Sequence, residues 1–223
     1  MTLSSSMPGV GRDRSPAQVW GLVSDVHGNY PALEQALSIL SKAGATHVAC
    51  LGDSLGRGDN ERCVQRIRDI AEVAILGNRD LDWQERVSPA IKAWVLGLPR
   101  TAHLGPLLLA HGDARLTPAL GTTQIGRDFA GAWREMERVD ATVFAFGHSH
   151  CARTWRKASA AEPAQLMEGP LVRIEPSSYR YFLNVGTTGL PFVGKGGPSV
   201  ALVDFPNAAM QHLDLDLARI GSE

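Results

Sequence analysis

A short apolar run, a polar loop and a helical pattern follow one another repeatedly along this chain, and that alternation constrains its fold more than any other feature. Residues 19 to 24 (VWGLVS) form the first run, and Pro31 to Ala43 then places Leu33, Ala36, Leu37 and Leu40 at helical spacing before Gly44. The pattern returns as HVACL (47 to 51) with a helix over Glu61 to Ile70, and as VAIL (73 to 76) with a helix near Pro89 to Leu96. It returns again as LLLA (107 to 110) with a helix over Thr122 to Val139, and ends with TVFAF (142 to 146). Strands alternating with helices predict an α/β architecture. After Cys151 the pattern changes, and LVRIE, YFLNV and SVALVDF read as β-hairpins and a strand that complete a sheet. Between them, Lys157 to Gly169 is an Ala-rich stretch that reads as a loop.

In open α/β sheets ligands bind at the carboxyl ends of the strands, so the loop after each strand is where chemistry is expected. The first is Asp25-Val-His27-Gly-Asn29, the second Gly52-Asp53 followed by Gly56-Arg57-Gly58, and the third Gly77-Asn78-Arg79-Asp80. The fourth is His111-Gly112-Asp113 and the fifth Gly147-His148-Ser149-His150. Positions 25, 53, 78, 111 and 148 are separated by 28, 25, 33 and 37 residues, the span of one strand, one helix and their loops, so each group returns to the same edge. Taken singly these residues have ordinary readings as turns, positive-φ positions or surface histidines. Four His, two Asp and one Asn on strand ends are hard to explain as independent turns. Oxygen and nitrogen donors without thiolate suit a divalent transition metal.

The remaining composition mainly excludes. With 223 residues, 44% of them hydrophobic, the chain is long enough for one compact domain. Twenty-two Lys and Arg against 23 Asp and Glu leave a formal charge of -1, which disfavours dedicated binding to nucleic acid or an anionic membrane. Cys50, Cys63 and Cys151 lack CxxC spacing, so neither a disulfide framework nor a zinc knuckle is indicated and a cytoplasmic location fits. Residues 1–16 carry no apolar segment and read as a flexible tail before a single domain over 17–223. No run of about 18 apolar residues suggests a membrane span.

The ordered set DVHGN, GDSLGRG, GNRD, HG and GHSH resembles the signature of the calcineurin-like metallophosphoesterases, from about Val19 to the last strand. Through the Asn-Tyr-Pro-Ala-Leu helix start and FLNVGTTGLPF, it is most similar to the small bacterial and archaeal phosphodiesterases. The resemblance implies a four-layer αββα sandwich around two divalent ions, manganese first among Mn, Fe, Zn, Co and Ni. It implies Asp25, His27, Asp53 and His150 as ligands of one ion and Asp53, Asn78, His111 and His148 as ligands of the other, with Asp53 shared. A shared carboxylate holds two cations about 3.5 to 4 Å apart, and water bound between them loses a proton near neutral pH and becomes the nucleophile. Asn29 and Arg57 are then expected at the phosphate, with Arg57 as a charged fork or, alternatively, a solvated loop charge.

Two departures from the family pattern matter. Where most members have a His that assists the leaving group, this chain has Arg79. Arginine keeps its proton, so it stabilises developing negative charge without acting as general acid. Losing a proton donor forfeits about 10² to 10⁴ in rate, which favours good leaving groups such as aryl or pyrophosphoryl ones. Asp80 reads as a helix or turn cap and Asp113 as a solvent-facing turn, with proton donation the alternative for both. The second departure is Asn184-Val-Gly-Thr for Asn-Pro-Gly-Ser, where Asn184 either orients a ligating His or forms a plain turn. His47, His103 and His212 read as structural or exposed, Trp20, Trp94 and Trp133 as packing residues, and no cysteine as catalytic. Trp83 and Trp155 read as packing residues first and as walls of a substrate cleft second.

The function expected is therefore a binuclear metal-dependent phosphoesterase acting on phosphodiesters or small phosphate esters. A protein Ser/Thr phosphatase, a dinucleoside-polyphosphate hydrolase and a non-catalytic metal- and phosphate-binding regulator are the alternatives. A small phosphate ester is the expected partner, with a homo-oligomer through an apolar C-terminal edge strand also open.

Overall fold

Every apolar run read as a strand is one. The computed structural model describes residues 18–112, 129–191 and 196–216. The first half runs β1 (Val19–Val23), α1 (Tyr30–Lys42), β2 (His47–Cys50), α2 (Asn60–Ile70), β3 (Val73–Ala74), α3 (Asn78–Trp83), a 3₁₀ turn (Gln84–Arg86) and α4 (Pro89–Leu96). It continues with β4 (Thr101–Leu104), β5 (Leu107–Ala110), α5 (Ala130–Val139) and β6 (Val143–Phe146). The second half is β7 (Arg153–Lys157), β8 (Gln165–Leu166), β9 (Leu171–Arg173), β10 (Arg180–Asn184), β11 (Ser199–Asp204) and β12 (Ala209–Asp214). The tail expected over residues 1–16, Asp113 and the first turns of the helix expected from Thr122 lie outside the described residues.

These strands form two six-stranded sheets, ordered β3-β2-β1-β11-β12-β9 and β4-β5-β6-β10-β7-β8. In the first, β1, β2 and β3 are parallel neighbours; in the second, β5, β6 and β10 are. Side chains alternate across each strand, and this alternation makes the layers. Leu22 and Ala49 from one sheet meet Leu107, Leu109, Val143 and Tyr181 from the other in a core between the sheets. Val23, Cys50, Val200 and Leu202 face outward onto Leu33, Leu37 and Leu40 of α1 and Ile67 of α2. On the opposite outer side Leu108, Phe144, Phe146 and Phe182 pack with Trp133 and Met136 of α5. The result is the four-layer αββα sandwich. Because both faces of β5 and β6 are buried, these strands read in the sequence as unbroken apolar runs.

The C-terminal strands correct one expectation. They do not complete one sheet: β7, β8 and β10 join the second and β9, β11 and β12 the first. No helix follows Cys151 among the described residues, so one extended sheet would leave these apolar strands uncovered. Split between two sheets, β10 and β11 share α5 and α1 as outer cover and bury their other faces against each other's sheet. β4, β7 and β12 escaped the sequence reading because polar residues such as His103, Arg156 and Gln211 interrupt their apolar pattern. Within Lys157 to Gly169 the two residues of β8 pair with β7, opposite Trp155 and Arg156. Among the described residues no helix is long and apolar enough to cross a membrane.

Candidate metal centre and adjoining cleft

The five polar loops leave the carboxyl ends of β1, β2, β3, β5 and β6, and backbone hydrogen bonds tie them together. Asp25 N donates to Gly52 O (3.0 Å), His27 N to Asp53 O (2.9 Å) and Gly147 N to His111 O (2.9 Å). From the C-terminal half, Gly189 N donates to Asp25 O (3.0 Å), as does Thr187 Oγ1 (3.0 Å). Asp25, His27, Asp53, His148 and His150 all adopt left-handed backbone, with φ between 52° and 65°. Non-glycine residues seldom do so, and such positions gather where surrounding structure over-determines them. The approach between loops is close enough that a Cβ at Gly147 would run into Ser24 Oγ and Asp25 Oδ2.

Two triads result, Asp25 with His27 and His150, and Asp53 with His111 and His148, each with its donor atoms within 4.8 Å of one another. Asp53 Oδ2 lies 3.3 Å from His111 Nε2 and 4.0 Å from His27 Nε2, so it stands between the two. The Nε2 atoms of His150, His27 and His111 converge on Asp25 Oδ1 at 3.1, 3.7 and 4.0 Å. Asp25 Oδ1 is nevertheless buried without a hydrogen-bond partner among the described residues, and so is Asn78 Oδ1. Orphaned buried acceptors are costly, and a cation satisfies them.

The second contacts of the rings agree with this. His111 Nδ1 donates to Leu51 O (2.7 Å) and His150 Nδ1 to Leu190 O (2.6 Å), which turns each Nε2 toward the cluster. His27 Nε2 and His150 Nε2 are 3.2 Å apart, and His148 Nδ1 and His111 Nε2 3.3 Å, so each pair needs a proton or a cation between them. Burial alone would lower the His111 imidazole, but the carboxylates of Asp53 and Asp25 outweigh it and push it up to about 10. Burial would raise the Asp25 carboxyl, yet His111, His150 and His27 hold it well below the usual range. His148 is lowered by burial and by the charge of His111. The donor set thus fits a binuclear metal site, with carboxylate oxygens facing imidazole nitrogens and a proton on His111 that a metal would replace.

Other residues hold the ligands in place. Ser24 Oγ donates to Asp25 Oδ2 (2.6 Å), which also accepts from His148 N (2.9 Å). Asp80 is fully buried and accepts from the backbone N–H groups of Gly77, Asp53 and Leu55 at 2.9 to 3.0 Å, so it is a cap that locks the second loop to the third. Its burial, with the charge of Asp53, pushes its carboxyl up to about 6. Asn184 Nδ2 donates to Gly147 O (3.2 Å) and Ser149 Oγ (2.6 Å), while its Oδ1 accepts from Gly186 N (3.0 Å). Its side chain thereby ties down the backbone of the GHSH loop and makes no bond to a ligating imidazole among the described residues. His212 Nε2 donates in turn to the Asn184 carbonyl (2.8 Å). Ser24 and Thr187 went unread in the sequence, since a hydroxyl beside a ligand has no signature of its own.

A cleft of about 740 Å³ opens beside His27, and Asn29, Arg57, Arg79 and Trp83 line it. Asn29 spends Oδ1 on Ala32 N (3.1 Å) as the cap of α1 and donates Nδ2 to Gly189 O (3.0 Å). Arg79 donates its backbone N–H to Asp53 Oδ1 (2.7 Å), and its guanidinium reaches Asp82 at 3.1 Å. Arg57 is exposed and makes no ion pair among the described residues. Trp155 instead packs against Phe129 and Phe146 beneath α5.

The sequence pattern of the calcineurin-like phosphoesterase superfamily domain matches residues 19–208. The chain belongs to that superfamily. A metallophosphoesterase from Sphaerobacter thermophilus superposes on this calcineurin-like domain with a TM-score of 0.71 at 23% identity, covering 92% of this chain and 91% of that one. An archaeal phosphodiesterase superposes with a TM-score of 0.53 at 15% identity over 89% of this chain and all (100%) of that one. A curated protein of Methanocaldococcus jannaschii is 38% identical over 60 residues, a match that spans 26% of this chain and only 25% of that protein.

Proposed function

We propose that this domain is a binuclear metal-dependent phosphoesterase that hydrolyses phosphodiesters or small phosphate esters. Asp25, His27, Asp53 and His150 would hold one ion, and Asp53, Asn78, His111 and His148 the other, manganese being the first candidate. The reading is carried by two buried acceptors that have no hydrogen-bond partner among the described residues, Asp25 Oδ1 and Asn78 Oδ1, beside two Asp/His triads that meet at Asp53. When bound, two divalent ions supply Lewis acidity and an activated water.

The chain's own groups do the rest. The carbonyls of Leu51 and Leu190 fix the tautomers of His111 and His150. Asp25 Oδ2, held by Ser24 and His148 N, leaves Oδ1 to face the ions. Arg57 and Arg79 offer charge to phosphoryl oxygens from the cleft wall, where Asn29 retains one N–H. Neither arginine gives up a proton, and Asp80 is spent on three backbone donors, so leaving groups that are stable as anions are favoured. The domain is proposed to span residues 17–223. The buried thiols of Cys50 and Cys63 fit a cytoplasmic location.

Metal-stripped protein given Mn²⁺ and either an aryl phosphodiester or its matching monoester tests the reading. Metal-dependent cleavage is expected with the diester preferred, and His148→Ala should lose nearly all turnover together with the second ion while keeping its circular dichroism spectrum. Near-normal turnover by His148→Ala with one ion lost would refute the two-metal reading. Arg79 favours one competing view, a phosphate-binding regulator without turnover. Activity created by Arg79→His where the natural protein has none would select it.

A further inference from the structure

The cleft beside the metal centre is lined by more cationic than anionic side chains. Arg57, Arg62 and Arg79 line it, with Asp59 as the one carboxylate among its described lining residues. Arg62 is 3.7 Å from Asp59 and stacks 3.9 Å above the Tyr30 ring, and Arg79 is held by Asp82, which lies outside the cleft. Arg57 is left without an ion pair among the described residues. The amino-terminal turn of α1 reaches the same wall through Tyr30 and Pro31 and adds the positive end of a helix, whereas that of α2 is capped by the Asp59 carboxylate. With Arg79 tied through its backbone N–H to Asp53 at the reacting centre and Arg62 paired with Asp59, the Arg57 guanidinium is the charge available to a second anionic group.

The same cleft has aromatic walls. Trp83 lines it, while Arg86, which does not, covers one face of the indole at 4.4 Å. At about 740 Å³ the cleft lies within the range of roughly 300 to 1,000 Å³ that takes a whole organic ligand. Arg79 adds a chemical condition, since a leaving group that receives no proton from it must be stable as an anion, and a phosphate is.

We infer that the cleft takes a nucleotide with at least two phosphoryl groups, the reacting one over the Asp53 centre, the next against Arg57 and the base against Trp83. The inference rests on the phosphoesterase reading of the metal centre and narrows its substrate to a phosphoanhydride. In the reaction the water oxygen bonds to phosphorus as the bridging P–O bond breaks. The departing phosphate keeps the electron pair, and the water's proton passes to solvent.

Calorimetric titration of the Mn-loaded full chain with the methylene-bridged analogue of ADP, with AMP and with methylenediphosphonate tests it without relying on turnover. The ADP analogue should bind about tenfold more tightly than either of the others, since a stacked base and a charge-assisted phosphate contact are each worth that much. Arg57→Ala should erase the advantage over AMP, and Trp83→Leu the advantage over methylenediphosphonate, with Trp83→Phe restoring it. Equal affinities for the three ligands, or advantages that survive both substitutions, overturn the inference. Cleavage of an aryl phosphodiester alongside equal affinities would leave the phosphoesterase reading standing and sink only the nucleotide. The expected affinities with no turnover of either aryl diester or ADP would support the nucleotide site and sink hydrolysis.

Discussion

At the scale of single residues, the centre is made by backbone that its side chains do not favour. The left-handed conformations of Asp25, His27, Asp53, His148 and His150 cost on the order of 1 kcal/mol or more each. Hydrogen bonds between loops remote in sequence, such as Gly189 N to Asp25 O, hold them there. The sequence names these residues through their spacing, but nothing local announces their φ. Gly77 meets the same crowding, for a Cβ there would collide with Asp53 N and Oδ1. Gly77→Ala should therefore displace Asp53 and lower the metal content of the purified protein, measured by elemental analysis. A second expectation concerns protons. With His111 pushed up to about 10, the metal-free protein holds that proton at pH 7, and a metal must displace it. Metal binding should release protons and tighten as pH rises toward 10. Calorimetry in buffers of different ionisation heat reads this directly, and proton uptake would count against His111 as a ligand.

Among the elements, α1 was the most legible, because Leu33, Ala36, Leu37 and Leu40 form one buried face and a Pro stands in its first turn. Its start hides a double duty. Asn29, expected at the phosphate, caps the helix through Oδ1 and ties Gly189 through Nδ2 while lining the cleft. Asn29→Ala should cost about 1 kcal/mol of stability as a lost cap, seen as a lower urea midpoint. An unchanged midpoint would mean that the cap is replaced by water. The least legible elements were short or half-polar. α3 has only six residues, and β12 exposes part of one face as the neighbour of β11, so neither carries a full period of apolar residues.

For the whole molecule, stability resides in the seam between the sheets, where Leu22, Leu109, Tyr181 and Leu183 are completely buried. Leu22→Ala should cost about 2 to 5 kcal/mol, read from chemical unfolding, because neighbours in both sheets cannot close the cavity together. Removal of residues 1–16 should leave turnover unchanged, and a large loss would assign that segment a part in the site.

The sequence by itself determined β1, β2, β3, β5 and β6 with α1, α2, α4 and part of α5 between them, the family, and the residue types that return to one sheet edge. Those signals are local, carried by apolar runs, helical spacing and five motifs. Only the tertiary structure decided how the later strands divide between two sheets, which tryptophan meets the cleft, and that Asp80 and Asn184 hold loops. Each of these outcomes depends on contacts between residues far apart in the chain, where the need to cover apolar faces and satisfy buried donors is settled by the assembled layers.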